Sequence, residues 1–267
     1  MTARTSGIAL AFLMTGVLSS VLSGASVYAA DTRNIDKTLP LNALGAITLD
    51  AHNGSIQVRT WDRSEIEIHV RIEAGGTSLV ARHRFDDMTV EIDGSRDFVS
   101  IKAKSAEIGS WSWWSWMGDW DSSPQVHYTI TAPRTARWRI REHNAKADIR
   151  DVNAALELDT HNGSVWVANL GGPLELNMHN GDAHIDFASF THESRVATHN
   201  GTVELALPAS SKFDLHSVGH NMRVDSDFPA TVRSSDFGRH MVNGQVNGGG
   251  PELRLTSHNG GFRLRSK

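Results

Sequence analysis

Histidine followed by asparagine recurs along this chain at nearly even steps. His-Asn-Gly stands at His52, His161, His179, His199 and His258, with close variants at His143-Asn144-Ala145 and His220-Asn221-Met222. From His143 onward the steps are 18, 18, 20, 21 and 38 residues, the last being twice 19. Imidazole ligates metals and titrates near neutral pH, so a line of such rings could hold zinc or copper. A straight row, however, offers one ion at most two neighbouring rings, and structural zinc sites need four converging donors. The row is expected to be a solvent-facing ladder, so we assign no metal ligand and no cofactor.

A second group is aromatic. Ser110 to Ser123 holds five of the eight tryptophans, Trp111, Trp113, Trp114, Trp116 and Trp120, among small polar residues. Five indoles cannot all be buried in so short a loop, and an exposed aromatic cluster marks binding. We expect a contact surface for envelope polysaccharide, a membrane surface or another envelope protein. The competing expectation is a loop folded back as a cap. A third group, Asp148, Trp166, His184 and Glu204, has the side-chain types of sugar chemistry. On stacked strands its carboxylates would lie three layers, about 14 Å, apart, too far for a glycosidase pair. The motifs of serine hydrolases, zinc proteases, phosphate loops and calcium loops are missing from the sequence. No catalytic residue is assigned, and the chain is read as a non-enzyme.

The elements that place these groups must be strands. Leu156, Leu158 and Thr160 alternate with Glu157 and Asp159 before His161, and Val165 and Val167 alternate with Ser164 and Trp166 after it. The same period of two runs through Leu174, Leu176, Ala183 and Ile185, and again through Val196, Val203, Leu205 and Leu207. Asn-Gly supplies the backbone freedom of a tight corner. The pairs Asn53-Gly54, Asn162-Gly163, Asn180-Gly181, Asn200-Gly201 and Asn259-Gly260 are therefore read as structural turns. The expected fold is all-β, a single-stack β-solenoid (β-helix) with coils of about 18–20 residues and an irregular N-terminal β cap. Stacking would pair Arg139 with Glu157, Arg141 with Asp159, and Glu175 with Arg195; it would also bring Glu157 against Glu175. A short helix is expected over Leu79–Asp87, and a hairpin turn at Asp93–Asp97.

Residues 1–29 read differently. Arg4, the apolar run Ile8–Val27 and Val27-Tyr28-Ala29 have the pattern of a secretory signal cleaved after Ala29. The organisation expected is a signal peptide (1–29), an N-terminal β cap with early strands (30–135) carrying the Trp-rich loop (109–124), and a repetitive solenoid (136–267). Without Arg4 the remainder has 25 basic and 30 acidic side chains. That balance, with no basic stripe, argues against nucleic-acid binding. The chain has no cysteine, which excludes a disulfide framework and thiol chemistry.

Three stretches resemble the bacterial putative-adhesin family of β-strand repeats, a family of unknown function. They are Ile47-Thr48-Leu49-Asp50-Ala51-His52-Asn53-Gly54-Ser55-Ile56, then Tyr128-Thr129-Ile130-Thr131-Ala132-Pro133, then the series from His143 to Pro208 with a return at Leu253–Leu264. The resemblance covers about residues 40–267 and implies an exported or envelope-associated β-solenoid without established catalysis. The chain departs from that pattern in placing His before Asn at nearly every corner and in its Trp-rich insert. The leading functional expectation is an exported, periplasmic or surface, adhesin-like scaffold or binding module. A carbohydrate-active β-helix protein is the alternative, and a metal-buffering surface a third reading.

Overall fold

The computed structural model describes residues 31–104, 123–229 and 240–267. Residues 1–29 and all five tryptophans of the insert lie outside the described residues. The described chain is all-β apart from one short helix. Its strands are β1 (Thr32–Pro40), β2 (Ala46–Trp61), β3 (Glu65–Glu73), β4 (Thr89–Gly94), β5 (Phe98–Lys104), β6 (Gln125–Pro133) and β7 (Arg137–Arg150). They continue as β8 (Leu156–Leu170), β9 (Leu174–Phe187), β10 (Ser194–Leu207), β11 (Phe213–Ser226), β12 (His240–Val246) and β13 (Glu252–Ser266). The helix α1 (Leu79–Asp87) starts where Ser78 accepts from the Ala81 N–H at 3.1 Å, a polar N-cap. The strands β4 and β5 form the expected hairpin around Ser95–Asp97.

All thirteen strands belong to one mixed sheet, ordered β1-β3-β6-β2-β7-β8-β9-β10-β13-β11-β12, with β5 also on β2 and β4 on β5. The seven strands that carry a His-Asn corner, β2-β7-β8-β9-β10-β13-β11, pair in parallel and in register. Antiparallel pairs flank this run: β1 with β3, β3 with β6, and β11 with β12. A single uniform stack is thus not what the sheet shows. The spacing of 38 residues after His220 has a topological origin: β12 turns back on β11, and β13 then inserts between β10 and β11. Asn243 and Gly244 pair with His216 and Leu215 inside that hairpin.

The links within the parallel run are short. Only residues 171–173 join β8 to β9, whose Leu174 sits beside Leu156. A straight strand of this length would span about 50 Å, and such a link covers only about 14 Å at full stretch. Each long strand must therefore fold back at its corner. The residues expected inward are buried: Leu156, Leu158, Val165, Val167, Leu176, Ile185, Val196, Val203 and Leu205 belong to one continuous core. Parallel neighbours at strand spacing, with apolar side chains stacked on like side chains, explain why a chain without cysteine can hold these layers.

Candidate functional site

The corners bring three rows of side chains together. The backbone row is glycine. Gly181 and Gly201 have φ of +126° and +130°, and a Cβ on either would lie 1.9 or 1.7 Å from the carbonyl oxygen of Gly163 or Gly181 one layer away. Only a residue without a side chain allows the layers to approach this closely. Where β7 has Ala145 instead, the corner is held differently. Glu142 is buried there, accepting the Ala145 N–H at 2.5 Å and the Thr160 hydroxyl.

Beside the glycines runs a ladder of seven asparagine amides. Each Nδ2 donates to the Oδ1 of the next: Asn221 to Asn259, Asn259 to Asn200, Asn200 to Asn180, Asn180 to Asn162, Asn162 to Asn144, and Asn144 to Asn53, at 2.8–3.3 Å. Outside it stand the histidines, all seven exposed. His143, His161, His179, His199 and His258 stack with centroids 4.7–4.8 Å apart and planes within 4°. His220 continues the stack at 5.8 Å from His258, and His52 ends it, tilted by 33° and 6.2 Å from His143. The ring spacing is the strand spacing of a sheet. None of the seven rings has a hydrogen-bond or ion-pair partner among the described residues. The expected turn residues and the expected outward histidine row are thus brought together on one edge.

A groove of about 630 Å³ runs along this edge across successive layers, bordered by His161, His179, His199 and His258. Thr198 and Ser257, both buried, line it, and their hydroxyl oxygens have no hydrogen-bond partner. Both oxygens lie on the inward face beneath the groove floor, without exposed surface, so the polar groups open to a ligand are those of Arg141, Asp159 and Asn177 beside the histidines. Glu142 lines the same groove. Burial pushes its carboxyl above the ordinary carboxylate value, against the pull of its bonds to Thr160 and Ala145.

That shift has a testable sign. A carboxyl whose folded pKa is raised binds its proton more readily in the native state, so its contribution is favourable below the unfolded value, 4.5. The contribution is lost as pH rises through the folded value. Glu142→Gln, which can accept from Ala145 and donate to Thr160, should raise Tm near pH 7 and leave it unchanged near pH 3.5. A higher Tm of equal size at both pH values would show that the carboxylate charge is not the cause.

The other outward rows also match the expected register. Arg139 meets Glu157 at 2.6 Å, and Arg141 lies 3.8 Å from Asp159. Glu157 and Glu175 are neighbours, as are Glu175 and Arg195. In the row Asp148, Trp166, His184, Glu204, the indole of Trp166 stacks on His184 at 4.1 Å, and His184 Nδ1 lies 3.2 Å from Glu204. Asp148 is engaged elsewhere. The Arg150 guanidinium, aided by Arg59, holds its carboxyl below the usual range.

A further polar cluster was not visible in the sequence. On β1, β3, β6 and β2, a cleft of about 380 Å³ is lined by Asp36, His69, Arg71, His127 and Ser55. Ser55 Oγ lies 2.8 Å from His127 Nδ1. Burial, aided by the charge of Arg71, lowers the His127 pKa, while a hydrogen bond with Asp36 raises that of His69. Glu73 stands 3.6 Å from His127 Nε2, beyond hydrogen-bond reach, so the serine–histidine contact lacks an orienting carboxylate. These residues lie on four strands whose pairing order differs from their order in the chain, and local spacing could not reveal the cluster.

No family model matches the chain, and no curated protein matches it. Among solved structures it is similar to a putative cell adhesion protein from Clostridium sporogenes, with 10% identity, 89% of this chain and 100% of that chain covered, and a TM-score of 0.48. It is also similar to a putative adhesin from Parabacteroides merdae, with 9% identity, 88% and 96% covered, and a TM-score of 0.32. A putative lipid binding protein from Parabacteroides distasonis matches with 11% identity, 90% and 98% covered, and a TM-score of 0.29. At such identities and scores no residue of this chain inherits a role, and its chemistry has to be read from its own side chains.

Proposed function

We propose that this chain is an exported, non-enzymatic binding module of the cell envelope, adhesin-like in mode, whose parallel layers form a β-solenoid and hold an extended polysaccharide along the histidine edge. The observation that carries this reading is the groove crossing successive layers, lined by the accessible polar side chains of Arg141, Asp159 and Asn177. A chain of sugar rings carries hydroxyls at regular intervals and can pair with such groups layer after layer. The signal-like residues 1–29 support export, and the exposed Trp166 and the Trp-rich insert offer further apolar contact for sugar rings.

The experiment is a titration of the purified chain with envelope polysaccharides and, separately, with lipid vesicles, read by tryptophan fluorescence. A saturable change with polysaccharide, lost in an Arg141→Ala, Asn177→Ala double variant that still folds, is the expected result. Release of new reducing ends would instead establish the carbohydrate-active alternative. Binding to vesicles alone would replace the polysaccharide by a membrane surface.

A further inference from the structure

The histidine ladder borders that groove, and its imidazole nitrogens have donor chemistry that a polysaccharide does not use. We propose that its stacked imidazoles form a surface array for divalent transition-metal ions that favour imidazole, zinc above all, each ion bridging two adjacent rings with water completing its shell.

The argument begins with the donors. Imidazole nitrogen suits zinc, copper and nickel, and a free lone pair is the first requirement. All seven rings are exposed, and none has a hydrogen-bond or ion-pair partner among the described residues. This sets them apart from His69, His127 and His184, each of which contacts a serine or a carboxylate. Geometry comes next. Two zinc–nitrogen bonds at a tetrahedral angle place their nitrogens roughly 3.4 Å apart. The stacked rings stand 4.7 Å apart with planes within 3° of parallel. A lone pair lies in its ring plane, so a pair of rings must close by roughly 1.3 Å and also turn their planes apart until both lone pairs converge. That rotamer change is open to exposed side chains, at the expense of their stacking. The backbone beneath need not move, because the asparagine ladder and the close glycine stacking fix each corner against the next.

The same geometry limits the site. No group of three His, Cys, Asp or Glu side chains converges on a metal position among the described residues, so a four-donor structural site is not what the array offers. Rings in a line can be shared only pairwise. Seven rings provide at most three separate pairs, and the five closely stacked rings provide two. The array would take up two to three ions per chain, exchangeably, in the manner of a buffer.

The test uses the whole chain without a histidine tag. Zinc chloride is titrated by calorimetry near pH 7.5. The expected result is two to three zinc ions bound. A variant with His143, His161, His179, His199 and His258 all changed to Gln should bind zinc more than tenfold more weakly. In a second measurement on the unaltered chain, zinc should protect these five histidines, but not His192, from acylation by diethyl pyrocarbonate, mapped by mass spectrometry. The second measurement decides the matter even if the fivefold variant fails to fold. Absence of zinc binding overturns the proposal. So does undiminished binding by a folded variant, or protection confined to other histidines. Because four of these histidines border the groove, polysaccharide binding is read on the unaltered chain: its presence without zinc binding sinks this inference alone and leaves the groove standing.

Discussion

Gly201→Ala should destabilise the protein by about 4 kcal/mol or more, a loss reserved for changes that a packed structure cannot absorb. Two effects add at this position. The φ of +130° is costly for any residue with a Cβ. The new methyl would also lie 1.7 Å from the Gly181 carbonyl oxygen, so adjacent layers would have to separate at the corner. Separation there loosens the asparagine bond between Asn200 and Asn180 and the stacking of His199 on His179. Gly248→Ala supplies the control. Its φ is +93°, but a Cβ would meet nothing within 4 Å, so only backbone strain of about 1–2 kcal/mol applies. Urea unfolding of the two variants checks the difference. Equal midpoints would mean that close layer contact is not what these glycines serve.

Replacing Asn180 by Ala should cost about 2 kcal/mol, and replacing it by Asp more. Asn180 is half-buried, donates to Asn162 and accepts from Asn200, both at 2.8 Å. Alanine deletes both bonds and leaves an Asn162 oxygen and an Asn200 N–H without their partners. Aspartate keeps the acceptor but turns a carboxylate oxygen toward the Asn162 oxygen, adding repulsion to the lost donor. Asn53, at the end of the ladder, accepts one such bond. Asn53→Ala should therefore cost roughly half as much as the central change. If thermal unfolding shows equal losses at both positions, each asparagine acts within its own turn, and the ladder adds nothing.

Much of this architecture could be read from local pattern. Alternation around His161 and His179 identified which side chains turn inward, because strand geometry imposes a period of two whatever the surroundings. The even recurrence of His-Asn is enough to set Arg139 beside Glu157 and Arg141 beside Asp159, the register that the sheet has. Two things were hidden for a common reason. The order in which strands pair is a property of the whole chain, so the position of β13 between β10 and β11 could not be inferred from the spacing of His220 and His258. The Ser55–His127 contact likewise joins residues 72 apart in the sequence. The unpartnered hydroxyls of Thr198 and Ser257 were also invisible, since pattern marks a position as inward without showing what its polar atom meets.

The place of β13 also bears on how the molecule is made. It is synthesised after β10, β11 and β12, yet it fills the slot between the first two. During synthesis β10 and β11 emerge while the strand that separates them does not yet exist. Vectorial assembly from the N-terminus can proceed through β10 and must then wait, and any early union of β10 with β11 has to open again to admit the final strand.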